Sequence, residues 1–370
     1  MKNLLLLIIS FPVFASNVSI SYTQGNSLIL KSDSCETLLN EYQKVCELRK
    51  SIEPSFEIPN IGNNECKNNS DGSLRVVISN CLTPFMKANQ NQRLKKDGAN
   101  CWGTAMSLKK ISPKPRFVWS KEMIYWQESP ICRKIEVGEE KIPGDILNIY
   151  GPEYIFERDE YSKGDAFFDV LYPNRRLDSP VASGYSGFYN FLHSETYVSK
   201  NISFGKESPN KLDRFQFNPI GEVYGRSRDT LCQENQSLVP SLRENENERQ
   251  NLRETRCKGY VSIAYRCQNF TAFFEDNISN SYQREIYEET LELQNIQNEL
   301  FALMKGKTIS PTRVKEAVQI ADKASREALV ALESQPEKIE EMVLSLKFFT
   351  AHGLRKSLEQ ALLIEATELL

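Results

Sequence analysis

The 370-residue chain has only two histidines, His193 and His352, and it has no Cys-x-x-Cys pair. A zinc or haem site therefore has no ligand set at the usual spacings, and neither a metal nor a cofactor is expected. After the first few residues there is no long apolar run, so no transmembrane segment is expected once the N-terminus is removed. The net charge of −3 is too small to point to nucleic acid. No repeat of fixed period is present.

The chain does carry an export-type start, MKNLLLLIISFPVFAS. Lys2 is a small positive region. Leu4 to Ile9 is an apolar run far short of the roughly 20 residues that span a bilayer. Pro12 ends it, and Val13 and Ala15 stand at the −3 and −1 positions of a cleavage site. Residues 1–16 are thus expected to be a signal peptide, and the mature protein to be secreted or periplasmic.

Nine cysteines fit that compartment: Cys35, Cys46, Cys66, Cys81, Cys101, Cys132, Cys232, Cys257 and Cys267. Nine is odd, so four disulfides and one free thiol are expected. Residues 34–49 read as a helix with Leu38, Tyr42, Val45 and Leu48 on one stripe. Cys35 and Cys46 would lie about 16 Å apart on it. A disulfide needs Cα atoms within roughly 7 Å. Each cysteine should therefore pin the helix to something else, with Cys66 and Cys81 the nearest candidates.

Further along, Leu74 to Ser79, Ile146 to Tyr150, Glu195 to Val198, Ile202 to Phe204 and Tyr260 to Arg266 read as strands. Trp102 to Lys110 reads as a helix. Residues 151–187 look like a long insertion, and 233–256 like a solvated charged segment. From 281 the pattern turns helical, with a stripe of Leu293, Ile296, Leu300 and Leu303. Ser310-Pro311 and Gln335-Pro336 are helix starts. The organisation expected is a disulfide-linked region 17–94, a mixed domain 95–275 and a separately packed helical bundle 281–370.

One constellation could carry chemistry. Cys101 lies in GANCWGTAM, where Gly98 and Asn100 make a turn and a helix begins. A thiol at a helix N-terminus feels the positive end of the dipole and unpaired N–H groups, which favour the thiolate. The same N–H groups can donate to a developing oxyanion. A base must complete such machinery, and His193, opening a strand, is the candidate. His352 reads as a surface or helix-end residue.

Three pieces in order resemble the NlpC-type papain-like cysteine endopeptidases: Cys101-Trp102-Gly103 at a helix start, Pro143-Gly144-Asp145-Ile146-Leu147, and His193-Ser194-Glu195-Thr196-Tyr197-Val198. The match covers about residues 95–225. The resemblance implies an α+β fold with a papain-like core, a cysteine helix packed on an antiparallel sheet, beside the C-terminal helical bundle. It implies Cys101 as nucleophile, His193 as base and Gly144-Asp145 as a structural turn. It further implies a thiol hydrolase of amide or peptide bonds, with cell-wall peptide as a substrate.

For the third polar residue, alternation after Ile202 puts Ser203, Gly205 and Glu207 on one face, and Glu207 could orient the imidazole. Asn100 or Gln92 could supply an oxyanion donor. Blander roles stand beside each of these. Cys101 could be half of a disulfide, His193 a strand-end residue bonded to backbone, and Glu207 a solvent-facing charge. The alternatives in function are a thiol acyltransferase and a non-catalytic, disulfide-rich binding or structural protein.

Overall fold

The structure is a computed structural model and describes residues 18–23, 27–136, 138–152, 189–220 and 261–362. The signal-like segment, nearly all of the 151–187 insertion, the charged 233–256 segment, Cys232 and Cys257 lie outside the described residues.

Two antiparallel sheets and eight helices make up the described parts, a mixed α+β architecture with a helical C-terminal region. The first sheet has the order β1-β2-β4-β3, from β1 (Ser19–Tyr22), β2 (Leu28–Ser32), β3 (Lys67–Asn68) and β4 (Leu74–Ile78). Alternation buries Leu28 and Leu30 of β2 and Val76 and Ile78 of β4. Helix α1 (Cys35–Ile52) covers them with the expected stripe of Leu38, Tyr42, Val45 and Leu48. Its start is set locally, since the Ser34 hydroxyl accepts the Thr37 N–H. Cys35 pairs with Cys66 and Cys46 with Cys81, so each pins the helix to a different segment.

The second sheet has seven strands in the order β5-β10-β9-β8-β7-β11-β6. These are β5 (Gln92–Arg93), β6 (Cys132–Lys134), β7 (Ile146–Pro152), β8 (Tyr189–Tyr197), β9 (Ile202–Gly205), β10 (Arg214–Pro219) and β11 (Val261–Cys267). Cys132 and Cys267 face each other in the β6–β11 pairing and are joined by a disulfide. The Gly144-Asp145 turn opens β7. Gly144 has φ of +97°, a conformation that favours glycine. The buried Asp145 carboxylate accepts from the Ile142 N–H and makes a two-point ion pair with Arg266 on β11.

Helices α2 (Pro84–Asn89), α3 (Cys101–Leu108) and α4 (Ser120–Glu128) lie between β4 and β6 in the chain. After β11 come α5 (Phe270–Asn277), α6 (Ser281–Met304), α7 (Pro311–Leu332) and α8 (Lys338–Leu362). Ser310 caps α7 through the Arg313 N–H, with Pro311 in the first turn. The stripe Leu293, Ile296, Leu300 and Leu303 is buried on α6.

Two large apolar clusters, with a small third one of Ile135, Leu147 and Ala264, form the core of the described residues. One joins Leu28, Leu38 and Val45 to Phe204 and Phe215 of the large sheet, and to Leu300, Met304, Ala317 and Leu354 of the C-terminal helices. The other joins Ala105 and Met106 of α3 to Ile146, Ile263, Trp126, Phe270 and Phe349. In packing, the core thus runs across the boundary drawn at residue 281. The C-terminal helices also bond the chain that leads to Cys101: the Met304 carbonyl accepts from the Lys95 and Lys96 N–H groups.

His352 is not at a helix end. It lies within α8, half-buried, its ring against Trp119 and Phe348. Helical periodicity turns that position toward α4's leading segment, where a flat ring fills the gap between two aromatics.

Candidate active site

Cys101 is the first residue of α3, and among the described cysteines it is the one outside a disulfide. The start of α3 is set by Asn100. Its Oδ1 accepts the Gly103 N–H at 3.0 Å and the Val118 N–H at 3.1 Å. Its Nδ2 donates to the Val118 carbonyl at 2.7 Å. The Asn100 amide is therefore engaged in building the helix start, its oxygen accepting twice and one of its two N–H donors held by the Val118 carbonyl. Gln92, the other expected donor, is exposed on β5.

His193 lies in the middle of β8 rather than at its start. The β7–β8 register slips between Ile149 and Tyr150, so Leu192 is an extra residue immediately before His193. Such bulges re-aim the side chains beside them. The imidazole is hydrogen-bonded on both sides. Its Nε2 lies 2.8 Å from Glu195 Oε1, and it also shares a hydrogen bond with the Cys101 thiol. With Nε2 engaged, Nδ1 is the ring nitrogen left for sulfur.

Glu195 follows His193 by two residues on one strand, which puts both side chains on the same face. Its carboxylate is held in a polar chain. Asn218 Nδ2 on β10 lies 3.4 Å from Glu195 Oε1, and Gln216 Nε2 donates to Asn218 Oδ1 at 2.8 Å. Gly205 of β9 makes room for it: a Cβ there would sit 2.3 Å from Oε2 and 2.4 Å from Cδ. Oε2 is buried with no hydrogen-bond partner among the described residues.

Burial pulls the His193 pKa down. The Cys101 sulfur, through charge and hydrogen bond, and the Glu195 carboxylate outweigh it and hold the pKa well above the ordinary value. The imidazole is thus favoured in its protonated form between two acceptors. The site is enclosed, with Cys101 5 %, His193 8 % and Glu195 2 % exposed.

Of the three expected residues, Cys101 and His193 meet. Glu207 is exposed beyond the end of β9 at Gly205, and the carboxylate hydrogen-bonded to the imidazole belongs to another residue. The acid at the imidazole is Glu195. A period-two reading of His193-Ser194-Glu195 within one strand carries that signal. The alternation of Phe215 and Phe217 with polar residues likewise marks β10, the strand that supplies Gln216 and Asn218. Among the described residues, no group of three or more His, Cys, Asp or Glu side chains could hold a metal ion. No family model matches the chain, and neither the curated proteins nor the solved structures give a match.

Proposed function

We propose that this chain is a secreted or periplasmic thiol hydrolase of amide or peptide bonds, working through Cys101, His193 and Glu195 on a papain-like core. The observation that carries the reading is one contact. A thiol at a helix N-terminus is hydrogen-bonded to an imidazole whose far nitrogen is held by a buried carboxylate. A cysteine helix whose Ala105 and Met106 pack with Ile146 and Ile263 of an antiparallel sheet supports the papain-like reading. Three disulfides support an oxidising compartment. Among the described residues, no helix is long and apolar enough to cross a membrane.

In this reading the Cys101 thiolate attacks the carbonyl carbon of the scissile bond. The developing oxyanion accepts from backbone N–H groups at the α3 start, the Cys101 N–H foremost. His193 passes its proton to the leaving amine, and a thioester remains on Cys101. His193 then takes a proton from water, which attacks the thioester, and the acid leaves as sulfur is regenerated as thiolate. Glu195 keeps the ring oriented and stabilises its positive form. A peptide, with cell-wall peptide the first class to try, is the substrate implied by the sequence resemblance.

The enclosure of Cys101 favours one second reading, a disulfide-bonded binding protein on the same fold without turnover. Alkylation of the native protein separates the two. An enzyme should react with iodoacetamide at Cys101 faster than a free thiol at pH 6, lose that excess in His193→Ala, and release products from peptide or cell-wall fragments. A Cys101 that alkylates no faster than a free thiol, with no turnover, would leave the binding protein as the reading.

A further inference from the structure

Lys206 is a charged side chain with no exposed surface, and the mechanism above does not use it. It follows Gly205, the residue that makes room for Glu195, and is the first residue past β9. Its ammonium donates to the backbone carbonyls of Ser208 and Asn210, the latter at 2.8 Å, and so ties down the 206–213 turn from inside. That turn is bonded to the segment just ahead of the nucleophile. The Gly98 N–H donates to the Pro209 carbonyl at 3.0 Å, and the Lys211 N–H to Asp97 Oδ1 at 2.6 Å. Asn100 and Cys101 come next.

The charges that act on the Lys206 ammonium are the carboxylates of Asp213 and Asp97 and the Cys101 sulfur. Burial is the larger influence and lowers the Lys206 pKa to about 8, despite these anions. An ammonium kept out of water at that cost needs partners, and two carbonyl acceptors satisfy only part of it.

We propose that Lys206 is a positioning residue of the thiol site: its buried ammonium holds the 206–213 turn against the Cys101 helix start and adds a second positive charge, beside His193, that favours the thiolate. The proposal rests on the Cys101–His193 reading. The sign follows from charge alone. A cation that stays with the sulfur stabilises thiolate, and by linkage the thiolate stabilises the cation.

The test is the pH profile of Cys101 alkylation by iodoacetamide in the full chain, for wild type, Lys206→Met and Lys206→Arg. Loss of the charge should move the half-maximal rate up by roughly one pH unit, which is about a tenfold slower reaction on the acid side of the profile. Lys206→Arg, which keeps the charge, should restore most of it. A Lys206→Met profile that superimposes on wild type overturns the proposal while leaving the Cys101–His193 reading standing. A wild-type profile like that of a free thiol overturns both. Should Lys206→Met fail to fold, the reciprocal measurement decides. Nitrogen NMR of the Lys206 ammonium in wild type and Cys101→Ser should show a lower Lys206 pKa once the thiolate is gone, and an unchanged pKa overturns the proposal.

Discussion

His193 and Glu195 stand two residues apart on β8, and imidazole Nε2 and carboxylate Oε1 are 2.8 Å apart. A same-strand pair of this kind is rigid, because the pleat rather than a loop sets the distance. It predicts that Glu195→Gln keeps a hydrogen-bonding group but loses the charge that favours imidazolium. The His193 pKa should fall in that variant, and fall further in Cys101→Ala, as proton NMR of the ring would show. In hydrolysis, the loss for Glu195→Gln should be roughly 10²- to 10⁴-fold, in line with the contribution of acid–base groups.

Gly205 gives a second prediction, independent of charge. A methyl group there would sit within 2.6 Å of both carboxylate oxygens of Glu195. Gly205→Ala should therefore displace the carboxylate, cost about 1–3 kcal/mol of stability and slow Cys101 alkylation. A double variant with Glu195→Ala should regain the stability and not the reactivity. Thermal unfolding and alkylation rates check both. A Gly205→Ala protein as stable and reactive as wild type would mean the sheet yields at that point.

The other histidine predicts the acid behaviour. Burial, then the charges of Lys356, Arg355 and Arg116, depress the His352 pKa from 6.5 to about 3. A depressed histidine pKa means the unfolded chain binds the proton that the folded chain refuses. Stability from this site is present above about pH 6.5 and falls as pH drops toward about 3, by at most about 1.4 kcal/mol per pH unit. His352→Phe keeps an aromatic ring against Trp119 and Phe348 and should flatten that limb in urea titrations between pH 6.5 and 4. His193 has the opposite sign. Its raised pKa gives stability present below the ordinary histidine pKa and lost as pH rises through the folded one.

Truncation after about residue 275 is the fourth prediction. The C-terminal helices share a core with Leu28, Leu38, Phe204 and Phe215, and hold the Lys95–Lys96 backbone through Met304. Removing them strips one whole wall from that cluster, and a domain's net stability is typically only about 5–15 kcal/mol. The truncated chain should be insoluble or lack a cooperative unfolding transition. A folded, soluble 17–275 product with its disulfides formed would show that the sequence boundary at 281 divides the fold after all.

The local features of this protein were readable along the chain. Ser310 as a cap, the α1 and α6 stripes, and the start of α3 at Cys101 depend on neighbours within one or two turns. Helix geometry also sufficed to say that Cys35 and Cys46 bond elsewhere, because a helix holds them too far apart. Which carboxylate meets His193 was a different kind of question. Alternation pointed past Ile202 to Glu207, but β9 stops at Gly205, and strand length is set by pairing with β8 and β10 rather than by the residues alone. The burial of Lys206, the place of His352 between two aromatics and the single core joining the first sheet to the last helices have the same origin. Each depends on contacts between segments distant in the chain, and only the folded packing brings those segments together.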